Sequence, residues 1–288
     1  MSINRRNFFK TVGVAGITLT GLESLGSPAE AAKADDTEFY GFLYDSTICL
    51  GCRACEKACA KAHGFPEPED DAEVGVIRKT SINQRSVINK FETSQGEMMV
   101  RHACMHCNEP ACASACLTQA MYKTKEGPVI WRADKCMGCR YCMISCPFDV
   151  PKFDYHSSNP IIQKCDMCFD RVQNGEIPVC AETCGDALFF GTRRELIAEA
   201  HRRISESPDS YIPQIFGEKT AGGTSSLYLS PVPFDELGLN TKVSNESYPA
   251  KTKGFLYSVP SVFVLLPSLL LGMHEATKSK QSKNHEND

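Results

Sequence analysis

The sequence has no excess of positive charge: 31 Lys and Arg stand against 35 Asp and Glu, for a formal net charge of −4. A chain without surplus cations cannot neutralise a run of phosphates, so nucleic acid is excluded as a partner. There is also no convincing constellation of nucleophile, base and orienting group, which argues against a catalytic site in the chain itself. Long apolar runs are scarce. Only Phe255 to Met273 stays free of charge for 19 residues. That is just enough for a helix to cross a hydrocarbon core, which takes about 20 residues. Pro260 and Pro267 predict kinks in it, and a membrane helix tolerates these when neighbours re-satisfy the backbone. A transmembrane helix is therefore expected over residues 254–273. Lys278, Lys280 and Lys283 follow it, against Lys251 and Lys253 before it. This bias favours a cytoplasmic tail at 274–288.

The N-terminus reads as an export signal over residues 1–34. A charged region containing Arg5-Arg6 leads into an apolar stretch, Thr11 to Leu22, and then into small residues with cleavage expected after Ala31 or Ala34. The paired arginines before Phe8-Phe9 resemble a twin-arginine signal.

What the sequence does have is cysteine, 16 in 288 residues, and all fall into four groups of four with none left over. Cys49, Cys52, Cys55 and Cys59 form group one, and Cys136, Cys139, Cys142 and Cys146 form group three. Both have the C-x2-C-x2-C-x3-C spacing of bacterial ferredoxins, and Pro147 follows Cys146. Group two is Cys104, Cys107, Cys112 and Cys116; group four is Cys165, Cys168, Cys180 and Cys184. These keep the C-x2-C start and C-x3-C end but hold four and eleven residues between the halves. A cubane needs one thiolate for each of its irons. A tight C-x2-C-x2-C loop presents three, while the fourth cysteine starts a helix that leads to a neighbouring cluster. Cys49-Leu-Gly-Cys-Arg-Ala-Cys55 matches Cys136-Met-Gly-Cys-Arg-Tyr-Cys142, and Pro110-Ala-Cys-Ala-Ser-Ala-Cys116 matches Pro178-Val-Cys-Ala-Glu-Thr-Cys184. Two loop types thus alternate, as in a duplicated two-cluster unit.

Structural zinc would explain separated C-x2-C pairs but not the third and fourth cysteines. Disulfides within C-x2-C-x2-C would be strained. Four [4Fe–4S] clusters remain the reading. Clusters must be assembled where thiols stay reduced, which suits an export route that carries folded proteins. Strands are expected at Phe39 to Leu43 and Val129 to Trp131, and a helix at Ala54 to Ala62. His106, inside Cys104-Met-His-Cys107, is read as supporting the cluster loop rather than ligating. His274 is read as an interfacial polar residue, and Glu67 to Glu73 as a solvated loop in the 44-residue gap between groups one and two.

Three segments carry a resemblance: Leu43-Tyr-Asp-Ser-Thr-Ile-Cys-Leu-Gly-Cys52, Cys139-Arg-Tyr-Cys-Met-Ile-Ser-Cys-Pro-Phe-Asp-Val-Pro-Lys-Phe-Asp154 and Phe189-Phe-Gly-Thr-Arg-Arg-Glu-Leu196. They resemble the four-cluster subunits of respiratory oxidoreductases, and most of all the electron-transfer subunit of hydrogenase-2-type membrane nickel–iron hydrogenases. The likeness extends through Phe216 to Thr224 and Val232 to Leu237. It implies an α+β, loop-rich fold of two ferredoxin-like lobes spanning 35–210, an exported extension at 211–253 and the C-terminal transmembrane helix. It further implies an electron-transfer component without its own catalytic site, at the periplasmic face of the inner membrane. Its partners would be the hydrogenase small and large subunits and an integral quinone-reactive subunit. The alternatives are the beta subunit of a molybdopterin oxidoreductase, of formate dehydrogenase or sulfur-compound reductase type, and a free soluble ferredoxin.

Pairing of the groups is open from spacing alone, because 19 residues separate groups two and three and 18 separate three and four. The resemblance implies nesting. Cys49, Cys52, Cys55 and Cys184 would hold one cluster, and Cys165, Cys168, Cys180 and Cys59 its neighbour. Cys104, Cys107, Cys112 and Cys146 would hold the third, and Cys136, Cys139, Cys142 and Cys116 the fourth. Ala60, Leu117 and Gly185 stand where a proline often follows the last cysteine of such groups.

Overall fold

The computed structural model describes residues 38–68, 72–157 and 161–284; the segment read as an export signal lies outside them. In chain order the first elements are β1 (Tyr40–Asp45), α1 (Ala54–His63), β2 (Ser86–Thr93), β3 (Gly96–Ala103) and α2 (Ala111–Ser114). Next come β4 (Met121–Lys123), β5 (Val129–Trp131), α3 (Tyr141–Ile144), β6 (Lys152–Phe153) and β7 (Ile162–Gln163). The chain continues with α4 (Phe169–Gln173), α5 (Val179–Cys184), β8 (Leu188–Thr192), α6 (Arg193–Glu206), β9 (Ser226–Leu229) and α7 (Tyr248–Asn284). The expected α1, β1 and β5 appear within a residue or two of their predicted bounds.

Phe42-Leu43-Tyr44 is an unbroken apolar run, which a strand can bury only if both its faces are covered. β1 is accordingly the central strand of the sheet β8-β1-β9, antiparallel to β8 and parallel to β9. Successive side chains point to opposite faces. Phe42 and Tyr44 enter the main core with Met105, Phe216, Tyr228 and Phe234, whereas Leu43 meets Leu196 and Ala200 of α6 on the other side. At Gly41 a Cβ would sit 2.3 Å from the Ser225 carbonyl oxygen, so this close approach requires glycine. α6 starts with a capping box: the Glu195 amide donates to the Thr192 hydroxyl and the Thr192 amide to the Glu195 carboxylate.

The gap between groups one and two contains a hairpin that the sequence reading missed, β2–β3, closed at Thr93 and Gly96. Its inward positions include the polar residues Ser86, Asn89 and Arg101, all buried, which mask the period-two apolar signal. Glu67 at the start of the acidic run pairs with Lys57 at 2.9 Å, and both side chains are solvated. Residues 211–253, read from the sequence as an extension, supply β9 and the core residues Phe216, Phe234 and Leu237.

α1 lies against α5, and α2 against α3. α7 runs as one helix through Pro260 and Pro267, and its stretch Tyr248–Glu275 is long and apolar enough to cross a membrane. None of that stretch is buried within the protein. Its foot touches α2, where Ser247 donates to Glu109 at 2.5 Å.

Candidate metal centre

All sixteen cysteines are free thiols. In every group the residue before the second cysteine adopts the left-handed conformation: Gly51 at φ +70°, His106 at 45°, Gly138 at +70° and Met167 at 62°. Arg53 and Arg140, the equivalent residues of groups one and three, are left-handed as well, at 61° and 62°. Such residues are rare outside glycine. Alternating hands along a short loop make a concave nest of backbone N–H groups, which suits an anionic cluster. The sequence repeat therefore corresponds to a repeated backbone shape.

Long-range packing sorts the sulfurs. Strand pairing of β1 with β8 brings the start of group one beside the end of group four. The Cys184 thiol is acted on by Cys49 and Cys52, and Cys55 by Cys184 and Cys180. Cys59 faces Cys165, Cys168 and Cys180. Cys107 and Cys112 face Cys104 and Cys146, while Cys142 faces Cys116, Cys136 and Cys139. Each group thus gathers with the fourth cysteine of another, groups one and four together and groups two and three together.

Burial pushes the Cys55, Cys107 and Cys165 thiols up to about 12, and Cys142 and Cys168 to about 11. Such thiols stay protonated at neutral pH unless a metal displaces the proton. Only Cys52 and Cys139 are exposed, one in the gathering with Cys184 and one in that with Cys116. Four gatherings of four sulfurs form a donor set that fits thiolate-ligated iron and sulfide.

His106 is fully buried, and its Nδ1 accepts from the Val129 amide at 3.0 Å, as expected for a residue that supports the loop. Burial, with Lys164 and Lys123 nearby, holds its pKa well below the ordinary histidine value. Sequence reasoning missed several contributors. Glu56, with a side chain 0% exposed, binds Arg53 and Arg78 behind the group-one loop. Arg101 and Lys164 reach cysteine sulfurs. His63 lies with its Nε2 3.6 Å from Cys168 Sγ, near Asp166. These three do not form a separate metal site, because Arg85 already occupies it, donating to Asp166 at 2.6 Å and to the His63 ring. Arg101 and His63 lie 79 and 105 residues from the sulfurs they approach, so no local signal marks them.

Residues 96–193 match the 4Fe-4S dicluster domain family. The hydrogenase-2 operon protein HybA of Escherichia coli O157:H7 is 32% identical over 321 residues, covering 98% of this chain and 97% of HybA. The chain belongs to the iron–sulfur electron-transfer subunit family that includes HybA. A protein of Nitratidesulfovibrio vulgaris is 40% identical across 97% of this chain and 78% of its own length. The iron–sulfur subunit of nitrate-inducible formate dehydrogenase from Escherichia coli K12 is 31% identical across 65% of this chain and 66% of its own length. Membership identifies this iron–sulfur subunit as an electron-transfer protein. The match to HybA covers nearly the whole chain, whereas the formate dehydrogenase match covers about two thirds of it.

Proposed function

We propose that this subunit holds four [4Fe–4S] clusters in the nested ligand sets named above, arranged as two ferredoxin-like lobes. In this reading it relays electrons between a periplasmic nickel–iron hydrogenase and an integral quinone-reactive subunit. The observation that carries the reading is the meeting of each group's fourth cysteine with three cysteines of a partner group. Bound clusters supply one-electron sites, and the protein sets their spacing and potentials. The sulfurs form a series. Cys55 couples to Cys180 between the first two sets, Cys165 couples to Cys104 between the next two, and α2 carries Cys112 while Cys116 follows just beyond its end. Export by the twin-arginine route would deliver the folded subunit to the periplasmic face, with α7 as its single anchor. The foot of α7 against α2 supports a membrane-proximal position for the sets of groups two and three.

Anaerobic iron and sulfide analysis of the complex purified in detergent tests the reading. About sixteen irons per chain are expected, and far fewer would end the four-cluster account. Cys49→Ser and Cys184→Ser should affect the same cluster, so the double variant should lose no more than either single one. Additive losses would refute nesting. Truncation after residue 253 should release the chain from membranes without detergent. Co-purification of a hydrogenase rather than a molybdopterin subunit separates the hydrogenase assignment from the alternative.

A further inference from the structure

We infer that Arg101 and Lys164 are two fixed positive charges that raise the reduction potentials of the two interior clusters, so that the middle of the series favours the electron. The inference rests on the four-cluster reading. Arg101, on β3, is 2% exposed. Its Nη2 lies 3.8 Å from Cys180 Sγ, and its guanidinium carbon lies 5.2 Å from the centre of the Phe42 ring. Its Nε is buried with no hydrogen-bond partner. Lys164, 4% exposed, follows β7 directly. Its Nζ lies 3.7 Å from Cys104 Sγ and donates to the carbonyls of Cys165, at 2.6 Å, and Val129.

Among the described residues, neither cation forms an ion pair with a carboxylate. The acid nearest in sequence to Lys164, Asp166, is held by Arg85 at 2.6 Å. A buried cation is costly unless something anionic compensates it. Among the described residues the groups acting most strongly on them are sulfurs, with Asp166 a lesser contributor at Lys164. Arg101 acts on Cys55, Cys165 and Cys180, between the first and second sets. Lys164 acts on Cys104, Cys112 and Cys165, between the second and third. Lys123 also lies within electrostatic reach of Cys107 and Cys104, but its Nζ donates to the carbonyls of His106, Cys107 and Gly127 rather than to a sulfur.

The sign follows from charge. A cube with four thiolates becomes more negative on reduction, so burial alone disfavours the reduced form. The set Cys59, Cys165, Cys168 and Cys180 is entirely buried, whereas each outer set has one exposed cysteine. On burial alone the interior clusters would be the hardest to reduce. A cation within a few ångströms reverses that ordering, because attraction is strong in a low dielectric.

The test is EPR-monitored redox titration of the intact complex in detergent, with iron and sulfide counted on every sample. Arg101→Gln and Lys164→Met should each lower the reduction equilibrium constant of an interior cluster tenfold or more, a fall of 59 mV for one electron. At least one component should stay unmoved. Arg101→Lys and Lys164→Arg should keep their potentials near the parent's. Full iron content with unmoved potentials in the neutral variants would overturn the inference. If the neutral variants lose iron while the charge-keeping ones retain it, the anion–cation pairing is upheld. Equal iron loss in both kinds would show that shape rather than charge is at work, and would overturn it. A parent complex with far fewer than sixteen irons instead removes the four-cluster reading itself.

Discussion

Glu56→Ala is the sharpest test of how the group-one loop is held. Glu56 sits on α1 between Cys55 and Cys59, with its side chain 0% exposed. Its carboxylate accepts from Arg53 Nε and Nη2 at 3.2 Å each, from Arg78 Nη1 and Nη2 at 2.9 and 3.1 Å, and from the Ile88 amide. The network ties the cluster loop to the β2–β3 hairpin. Truncation leaves the Arg78 guanidinium buried without this anion and strips Arg53 of one partner, and breaking a buried pair in this way costs about 3–5 kcal/mol. For a domain of this size each kcal/mol moves the midpoint by about 2–4 °C, so a fall of roughly 6–20 °C is expected. Unfolding a cluster protein is irreversible, so the assay is thermal loss of the visible charge-transfer absorbance, anaerobically and at one fixed scan rate. Adding Arg78→Met to Glu56→Ala should recover part of the loss, since it removes the cation left without its carboxylate. A single-variant shift below about 2 °C, or strict additivity in the double variant, would refute the reasoning.

Two further stability predictions concern the central sheet. Gly41→Ala places a methyl against the Ser225 carbonyl oxygen, where 2.3 Å of space is available, and should cost about 1–3 kcal/mol by overpacking. An unchanged melting point would show that β9 can move aside from β1. Thr192→Ala removes the N-cap of α6 and should cost about 1 kcal/mol. In that background Glu195→Ala should add little, because the two side chains form one reciprocal cap; a full second loss in the same melting assay would count against it.

Much of the site could be read from local spacing because a thiolate loop is a local device. Three sulfurs from one short turn reach one cube whatever the rest of the chain does, so all sixteen candidates and the repeat of Gly51 with Gly138 were visible in one dimension. The apolar run at Phe255 to Met273 was equally plain, since its length is set by the bilayer and not by neighbours. β1 and α1 were legible from an apolar triplet and an alanine-rich stretch. The β2–β3 hairpin was not, because its buried positions include Asn89 and Arg101.

Sequence by itself singled out the candidate ligands and the spacing of their loops, because these depend on residues a few positions apart. Only the tertiary structure decided which groups meet. Intervals of 18 and 19 residues are indifferent to the choice, and the pairing of β1 with β8 makes it across nearly the whole domain. The same folding brings Arg101 and Lys164 to the sulfurs of distant groups. A buried charge is defined by what surrounds it in space, which no local pattern encodes.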